Sequence, residues 1–248
     1  MNRERLRSPP ASACGGQKAG ADPTNLNRDN TCEGRLLNNR HYLCGSAFFI
    51  LRTMAEKLEK LKKATVGIAG LGGLGSTVAV ALTRAGIGQL IIADFDKIEP
   101  SNLNRQHYFL DQIGQYKVDA LTENLQRINP DVKVDGHIIK LTEENIPQIF
   151  AQADIIAECF DKADQKQMLV QTVLTKMEKA VIVSASGLAG YGKSNQIQTR
   201  RVSGRLILVG DNESGTDTGL PLTAPRVWIA ASHQANAIIE ILIDEIIK

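Results

Sequence analysis

Val66-Gly67-Ile68-Ala69-Gly70-Leu71-Gly72-Gly73-Leu74-Gly75 is the stretch that decides the fold: four residues that read as a buried strand run straight into a glycine cluster. Gly70, Gly72 and Gly75 satisfy GxGxxG at the junction of strand and helix, where small residues let backbone N–H groups approach a phosphate. Beyond the glycines, Leu74, Val78, Ala81, Leu82 and Ala85 recur at helical spacing, and Gly86 stops the helix. A second apolar strand, Leu90-Ile91-Ile92-Ala93, closes on Asp94, which completes a βαβ unit of about thirty residues. Asp94 lies 19 residues past Gly75, at a strand end where an acid accepts hydrogen bonds from ribose hydroxyls. The unit therefore reads as a nucleotide binder, and nothing in it says which nucleotide.

The alternation continues outward. Leu58 and Leu61 mark a short Lys/Glu-rich helix upstream. Downstream, a helix spans Lys117–Ile128 up to Asn129-Pro130, and a strand comes next over Val132–Ile139. Thr142-Glu143-Glu144-Asn145 opens another short helix in the manner of a capping box. Strands at Asp154–Cys159 and Ala180–Ala185 flank a helix at Gln165–Lys176. Such a run predicts an α/β fold with a doubly wound, Rossmann-like, mostly parallel sheet. Asn195–Arg201 and Leu206–Val209 read as additional C-terminal strands, Gly210–Gly219 as a polar loop, and Val227–Ile247 as a long terminal helix.

Residues 1–35 hold three of the eight prolines and few apolar side chains, so no core can form there. The expected division is a disordered or poorly ordered extension over residues 1–53 and one domain over 54–248, with Met54 a candidate start. The whole chain of 248 residues carries 29 Lys and Arg against 27 Asp and Glu. Residues 1–53 hold eight of those cations and four of the acids, leaving 21 against 23 over the other 195. That body has no basic footprint for nucleic acid. The chain's longest apolar runs, such as Ala47 to Leu51, are far short of the roughly 20 residues that span a bilayer. Cys14, Cys32, Cys44 and Cys159 match neither a disulfide framework nor paired zinc ligands, and no secretory signal is visible, so a cytoplasmic location is expected.

The segment from Asp94 onward separates the nucleotides. Asp94-Phe95-Asp96-Lys97-Ile98-Glu99-Pro100-Ser101-Asn102-Leu103-Asn104-Arg105-Gln106 places several amides and a guanidinium on one loop, which reads as a grip for polyphosphate. With this segment, the glycine loop, Gly114-Gln115-Tyr116-Lys117, Arg127-Ile128-Asn129-Pro130, Phe160-Asp161 and Ala224-Pro225 in order, the chain from about Lys62 onward resembles the ThiF/MoeB/HesA family, relatives of ubiquitin-activating enzymes.

The resemblance implies an ATP-dependent adenylyltransferase whose acceptor is the C-terminal Gly-Gly carboxylate of a small ubiquitin-like sulfur carrier protein, with release of pyrophosphate. It places Gly73 against the nucleotide together with Gly70, Gly72 and Gly75, Asp94 on the ribose, Asp96, Ser101, Asn102 and Arg105 around the phosphates, and Lys117 toward the α-phosphate. Asp161 would hold Mg2+. Arg105, Lys117 and Asp161 are thus the catalytic candidates, since transfer at phosphorus depends on positioning and charge neutralisation. A homodimer is also implied.

Departures from the family pattern shape the remaining expectations. No cysteine lies beyond Cys159, so neither the two CxxC pairs of a structural zinc nor a cysteine in the loop before Ala224-Pro225 is present, and no zinc is expected. The shorter thiamine-thiazole (ThiS-dependent) branch is the closest likeness, with a molybdopterin-synthase activator and a tRNA-nucleoside adenylating dehydratase as alternatives. Ser184–Gly192, rich in small residues, is a candidate groove for the acceptor's tail or else a glycine turn. Cys159 reads as a buried thiol, His107 and His233 as satisfied side chains, and Trp228 as core or interface. From another class, an NAD-dependent oxidoreductase accounts for Gly70–Gly75 and Asp94 but not for Ser101 to Arg105 or Asp161.

Overall fold

A computed structural model describes residues 55–215 and 219–244; the expected extension over residues 1–53 lies outside the described residues. Residues 55–63 form helix α1. After it come β1 (Thr65–Ala69), α2 (Gly73–Ala85), β2 (Gln89–Asp94), α3 (Lys117–Ile128), β3 (Lys133–Ile138), α4 (Ile146–Ile149), β4 (Ile155–Glu158), α5 (Ala163–Lys176), β5 (Val181–Ala185), β6 (Gln198–Ser203), β7 (Leu206–Gly210) and α6 (Ala224–Asp244). All seven strands share one sheet in the order β3-β2-β1-β4-β5-β7-β6. Every neighbouring pair is parallel except β6 with β7, at the edge.

The chain leaves β1 toward one side through β2 and β3, then returns to the other side of β1 with β4. The carboxyl ends of β1 and β4 thus border a crevice, the place where doubly wound sheets take their ligands. Alternation along the strands fills two layers. Val66, Ile68, Leu90, Ile92, Ile155, Val181 and Val183 pack with Val78 and Leu82 of α2, Leu121 and Leu125 of α3, and Val227, Ala230 and Ile238 of α6. On the other face Ala69, Ile91, Ala93, Ile156 and Ile182 meet Phe150 and Leu169 and Val173 of α5. Gly67 lets the Phe150 ring lie on the sheet, since a Cβ there would stand 2.6 Å from its Cδ1.

Local signals fall where the sequence places them. Gly86 caps α2 in the left-handed region at φ 91°. Thr142 and Asn145 exchange the expected reciprocal bonds, Thr142 N–H to Asn145 Oδ1 at 2.8 Å and Asn145 N–H to Thr142 Oγ1 at 3.4 Å. Two bounds differ. The terminal helix begins at Ala224, three residues ahead of its expected start, because Pro225 in a first turn costs no helical hydrogen bond. Asn195 belongs to a 3-10 turn, Ser194–Gln196, and β6 starts only at Gln198. None of the helices among the described residues is long and apolar enough to cross a membrane.

A fully buried charge lies within the sheet itself. Glu158, at the end of β4, is fully buried and accepts from Lys166 Nζ with both oxygens at 3.0 Å, from Ser184 Oγ at 2.6 Å and from the Phe160 N–H at 2.7 Å. Removing one partner of a buried pair strands the other charge. Lys166→Met should therefore lower the unfolding free energy by about 3 kcal/mol, the lower end for such pairs because the ammonium keeps some water. Urea denaturation checks this, and a loss under about 1 kcal/mol would mean that Ser184 and the backbone satisfy Glu158 alone.

Candidate nucleotide site

The glycine loop sits at the β1–β4 crevice, and its glycines do different work. Gly70 has φ 88°, and a Cβ on it would meet the Cys159 carbonyl at 3.0 Å and the Phe160 ring at 3.1 Å. Gly75 passes so close to Gly70 that a Cβ would stand 1.9 Å from the Gly70 carbonyl oxygen. Gly72 is open: its missing Cβ would meet only the Gln106 amide at 3.8 Å. The first turn of α2 thus offers backbone N–H groups beside a small open surface, with no acidic residue in that turn to oppose an anion.

Leu71 is held on both sides of the residue. Its N–H donates to Asp94 Oδ2 at 2.6 Å, and its carbonyl accepts from the Tyr108 hydroxyl at 2.8 Å. The other Asp94 oxygen accepts from the Asp96 N–H at 2.8 Å. Burial raises the Asp94 pKa, and the neighbouring Asp96 charge adds to this; the Lys117 ammonium and the two N–H groups offset only part of it. Burial also pushes the Tyr108 phenol well above its ordinary value, with Asp94 and Asp96 adding to the effect, so its hydroxyl keeps the proton that it donates.

Lys117 begins α3 and is buried, its Nζ 2.8 Å from Asp96 Oδ2, while Asp96 stays half exposed. A cation is therefore fixed beside the Asp94 strand end. Arg105 lies over the start of α2: a Cβ on Gly73 would stand 3.4 Å from Arg105 Cγ. Its guanidinium donates to Asn104 Oδ1 at 2.8 Å and to the Ser101 carbonyl at 3.3 Å. Ser101 and Asn102 form the 3-10 turn Pro100–Asn102, and their side chains cap that turn, Ser101 Oγ donating to Glu99 and Asn102 Oδ1 accepting from the Glu99 N–H. Asp161 stands exposed on the turn after β4, next to the Phe160 that covers Gly70. The glycine loop, Asp94, Asp96, Arg105 and Lys117 are thus brought together, with Asp161 on the opposite lip.

A metal bound mainly by substrate phosphates needs only one or two protein carboxylates. Among the described residues no group of three or more His, Cys, Asp or Glu gathers as a closed metal site. Exposed Asp161 fits the open kind, whereas Asp94 is already committed to two N–H groups. Cys159 is buried, and burial with the nearby Glu158 charge pushes its thiol pKa well up despite Lys166, which makes it a poor nucleophile. Trp228 is 40% exposed, so it is not core.

Several constraints lie outside the residues that the sequence singles out. Tyr108 carries no visible signal. Glu158 carries one, a charge inside an apolar strand. Arg226, buried, donates to the carbonyls of Ala189, Gly192 and Lys193 and to the Asp211 carboxylate. Burial would raise Asp211, but Ser214 hydroxyl and backbone bonds, the Glu213 N–H and the Arg226 charge outweigh it and hold its pKa down. Within the candidate tail groove, Asp211 fills the space at Gly187 and Leu220 that at Gly190, so these two glycines serve the chain's own packing.

Comparison with known proteins gives a consistent picture. The family model described as ThiF family matches residues 48–246. Ubiquitin-like modifier-activating enzyme 5 of Bombyx mori is 34% identical over 134 residues, covering 50% of this chain and 33% of that protein. The enzyme of the same name from Caenorhabditis elegans is 43% identical over 134 residues, covering 50% and 31%. The matches thus take in about a third of these relatives' length. In fold, the chain is similar to the E. coli tRNA N6-threonylcarbamoyladenosine dehydratase TcdA in complex with AMP, with TM-score 0.69 and 20% identity over 77% of this chain and 91% of that one. It is also similar to E. coli MccB with AMPCPP and MccA, with TM-score 0.59 and 24% identity over 77% and 59%.

Tyr108→Phe should leave the Leu71 carbonyl without its partner and cost about 1–3 kcal/mol in denaturant unfolding. ATP affinity should fall with it, because the loop loses one of its two restraints. A variant with unchanged stability and affinity would remove the hydroxyl from the loop's support.

Proposed function

The chain belongs to the ThiF family, and from that premise we propose that it is an ATP-dependent adenylyltransferase acting on the C-terminal carboxylate of a small ubiquitin-like protein. The observation that carries this reading is the buried Lys117, paired with half-exposed Asp96 beside Asp94. A cation held at the ribose end of the crevice suits the phosphates of a nucleotide, whereas in an NAD site the strand-end acid meets the ribose without one.

In the proposed reaction an acceptor carboxylate oxygen attacks the α-phosphorus of ATP. The bond from that phosphorus to the bridging oxygen breaks, and pyrophosphate leaves with the electron pair, giving an acyl-adenylate. No covalent bond to the protein is required. The first-turn N–H groups of α2 would receive phosphate oxygens at the open surface of Gly72, while Asp94 would accept from the ribose with its remaining lone pairs. Lys117 and Arg105 would neutralise charge that grows as the α–β bond opens, and preorganised cations do this without reorganisation at the moment of reaction. Asp96 acts through Lys117 by holding its ammonium. Asp161 would hold Mg2+, which supplies further charge neutralisation on the phosphates.

For the acceptor, the curated relatives' name points to ubiquitin-like modifiers. The thiamine-pathway sulfur carrier and the molybdopterin-synthase carrier are members of the same structural class, each ending in an activatable carboxylate. The segment after β5, strapped by Arg226, is the part of the molecule we assign to the acceptor's tail. A homodimer in a cytoplasmic setting completes the proposal.

ATP–pyrophosphate exchange on the purified chain with Mg2+, run with a panel of small ubiquitin-like proteins, tests this function. Exchange should depend on one carrier with an intact C-terminal carboxylate, and Arg105→Ala should cut it by about tenfold or more. ATP binding without exchange on any carrier, but with turnover on tRNA, would contradict the acceptor class.

A further inference from the structure

Arg105, Gln106 and His107 are gripped from three helices. Trp228, in the second turn of α6, donates its indole N–H to the Arg105 carbonyl at 3.0 Å and stacks on the His107 ring, centroids 5.2 Å apart and planes 22° from parallel. The His107 N–H donates to Ser76 Oγ on α2 at 3.2 Å, and its carbonyl accepts from Asn124 Nδ2 on α3 at 3.1 Å. Burial, with the Arg84 charge adding to it, lowers the His107 pKa, so the ring against Trp228 is held toward its neutral form. Between these anchors Gln106 is buried beside Gly72, its Oε1 without a hydrogen-bond partner among the described residues. The Arg105 methylenes and Val227 together close over Gly73.

An indole left 40% exposed adds little to a core, yet both its polar atom and its ring are spent on one tripeptide. That tripeptide carries the guanidinium at the N-terminus of α2. We propose that Trp228 is a positioning residue for the nucleotide site: it fixes the Arg105 backbone and thereby the direction in which the guanidinium meets phosphate. The proposal rests on the reading that this site binds ATP. It also makes the start of α6 a common support, because Arg226, two residues earlier, ties down the segments at Ala189–Lys193 and Asp211.

A double-mutant cycle on the full chain tests it, with ATP affinity read by titration calorimetry in Mg2+ and folding checked by thermal melts. Trp228→Phe keeps a ring on His107 and removes only the donor. It should weaken ATP binding about threefold or more, and Arg105→Ala about tenfold. The double variant should bind within about twofold of Arg105→Ala, since the same contact is already gone. Trp228 is the chain's single tryptophan, so ATP should also change the wild-type emission. Should Trp228→Phe fail to fold, His107→Ala, which retains the indole donor and loses the stack, must show the same non-additive loss. Additive losses, or wild-type affinity in a folded variant, would overturn the positioning role. A wild type that binds no ATP would overturn the site reading itself, a result distinct from either.

Discussion

The backbone of Leu71, pinned between a carboxylate and a phenol, is the constraint on which the site depends. Asp94 takes its N–H and Tyr108 gives a hydrogen bond to its carbonyl. One residue thus joins the ends of β1 and β2 to the segment after the Arg105 loop. Gly70 and Gly75 can approach to backbone contact only because neither has a side chain, and that approach aims the first turn of α2 into the crevice. A ligand binding there meets donors already in place, which is how a protein without a covalent step lowers a phosphoryl-transfer barrier.

Buried charges, rather than additional apolar surface, set the loops around Leu71. Glu158 with Lys166 fixes the turn that carries Phe160 and Asp161. Lys117 with Asp96 fixes the other lip. Arg226 with Asp211 gathers three loop carbonyls at the start of α6. Pairs of this kind contribute modest net stability but penalise any arrangement that separates them, which suits loops whose geometry matters more than their strength.

The parallel sheet is legible in the sequence because its central strands are continuous apolar runs and its helices show periodic faces, as at Leu74, Val78 and Leu82. The glycine loop and Asp94 are legible because their spacing is dictated by backbone geometry. Ser101 and Asn102 stand out as polar residues of a loop, but the turn they cap is set by Glu99, a local competition that composition cannot resolve. Tyr108, Ser184 and Arg226 stay hidden, since each reaches a partner 37, 26 and 37 residues away in sequence. Trp228 is conspicuous as a lone tryptophan, but its exposed edge and its donor to Arg105 depend on how α6 crosses α2, which no local pattern encodes.

Membership of the ThiF family, a sheet whose crevice opens at β1 and β4, and a buried cation beside Asp94 converge on one nucleotide chemistry. The most direct measurement is calorimetric titration of the purified chain with ATP in Mg2+ and, separately, with NAD+. Saturable binding of ATP and none of NAD+ over the same concentration range is the predicted result. Saturable NAD+ binding with no heat from ATP would contradict the account at its centre.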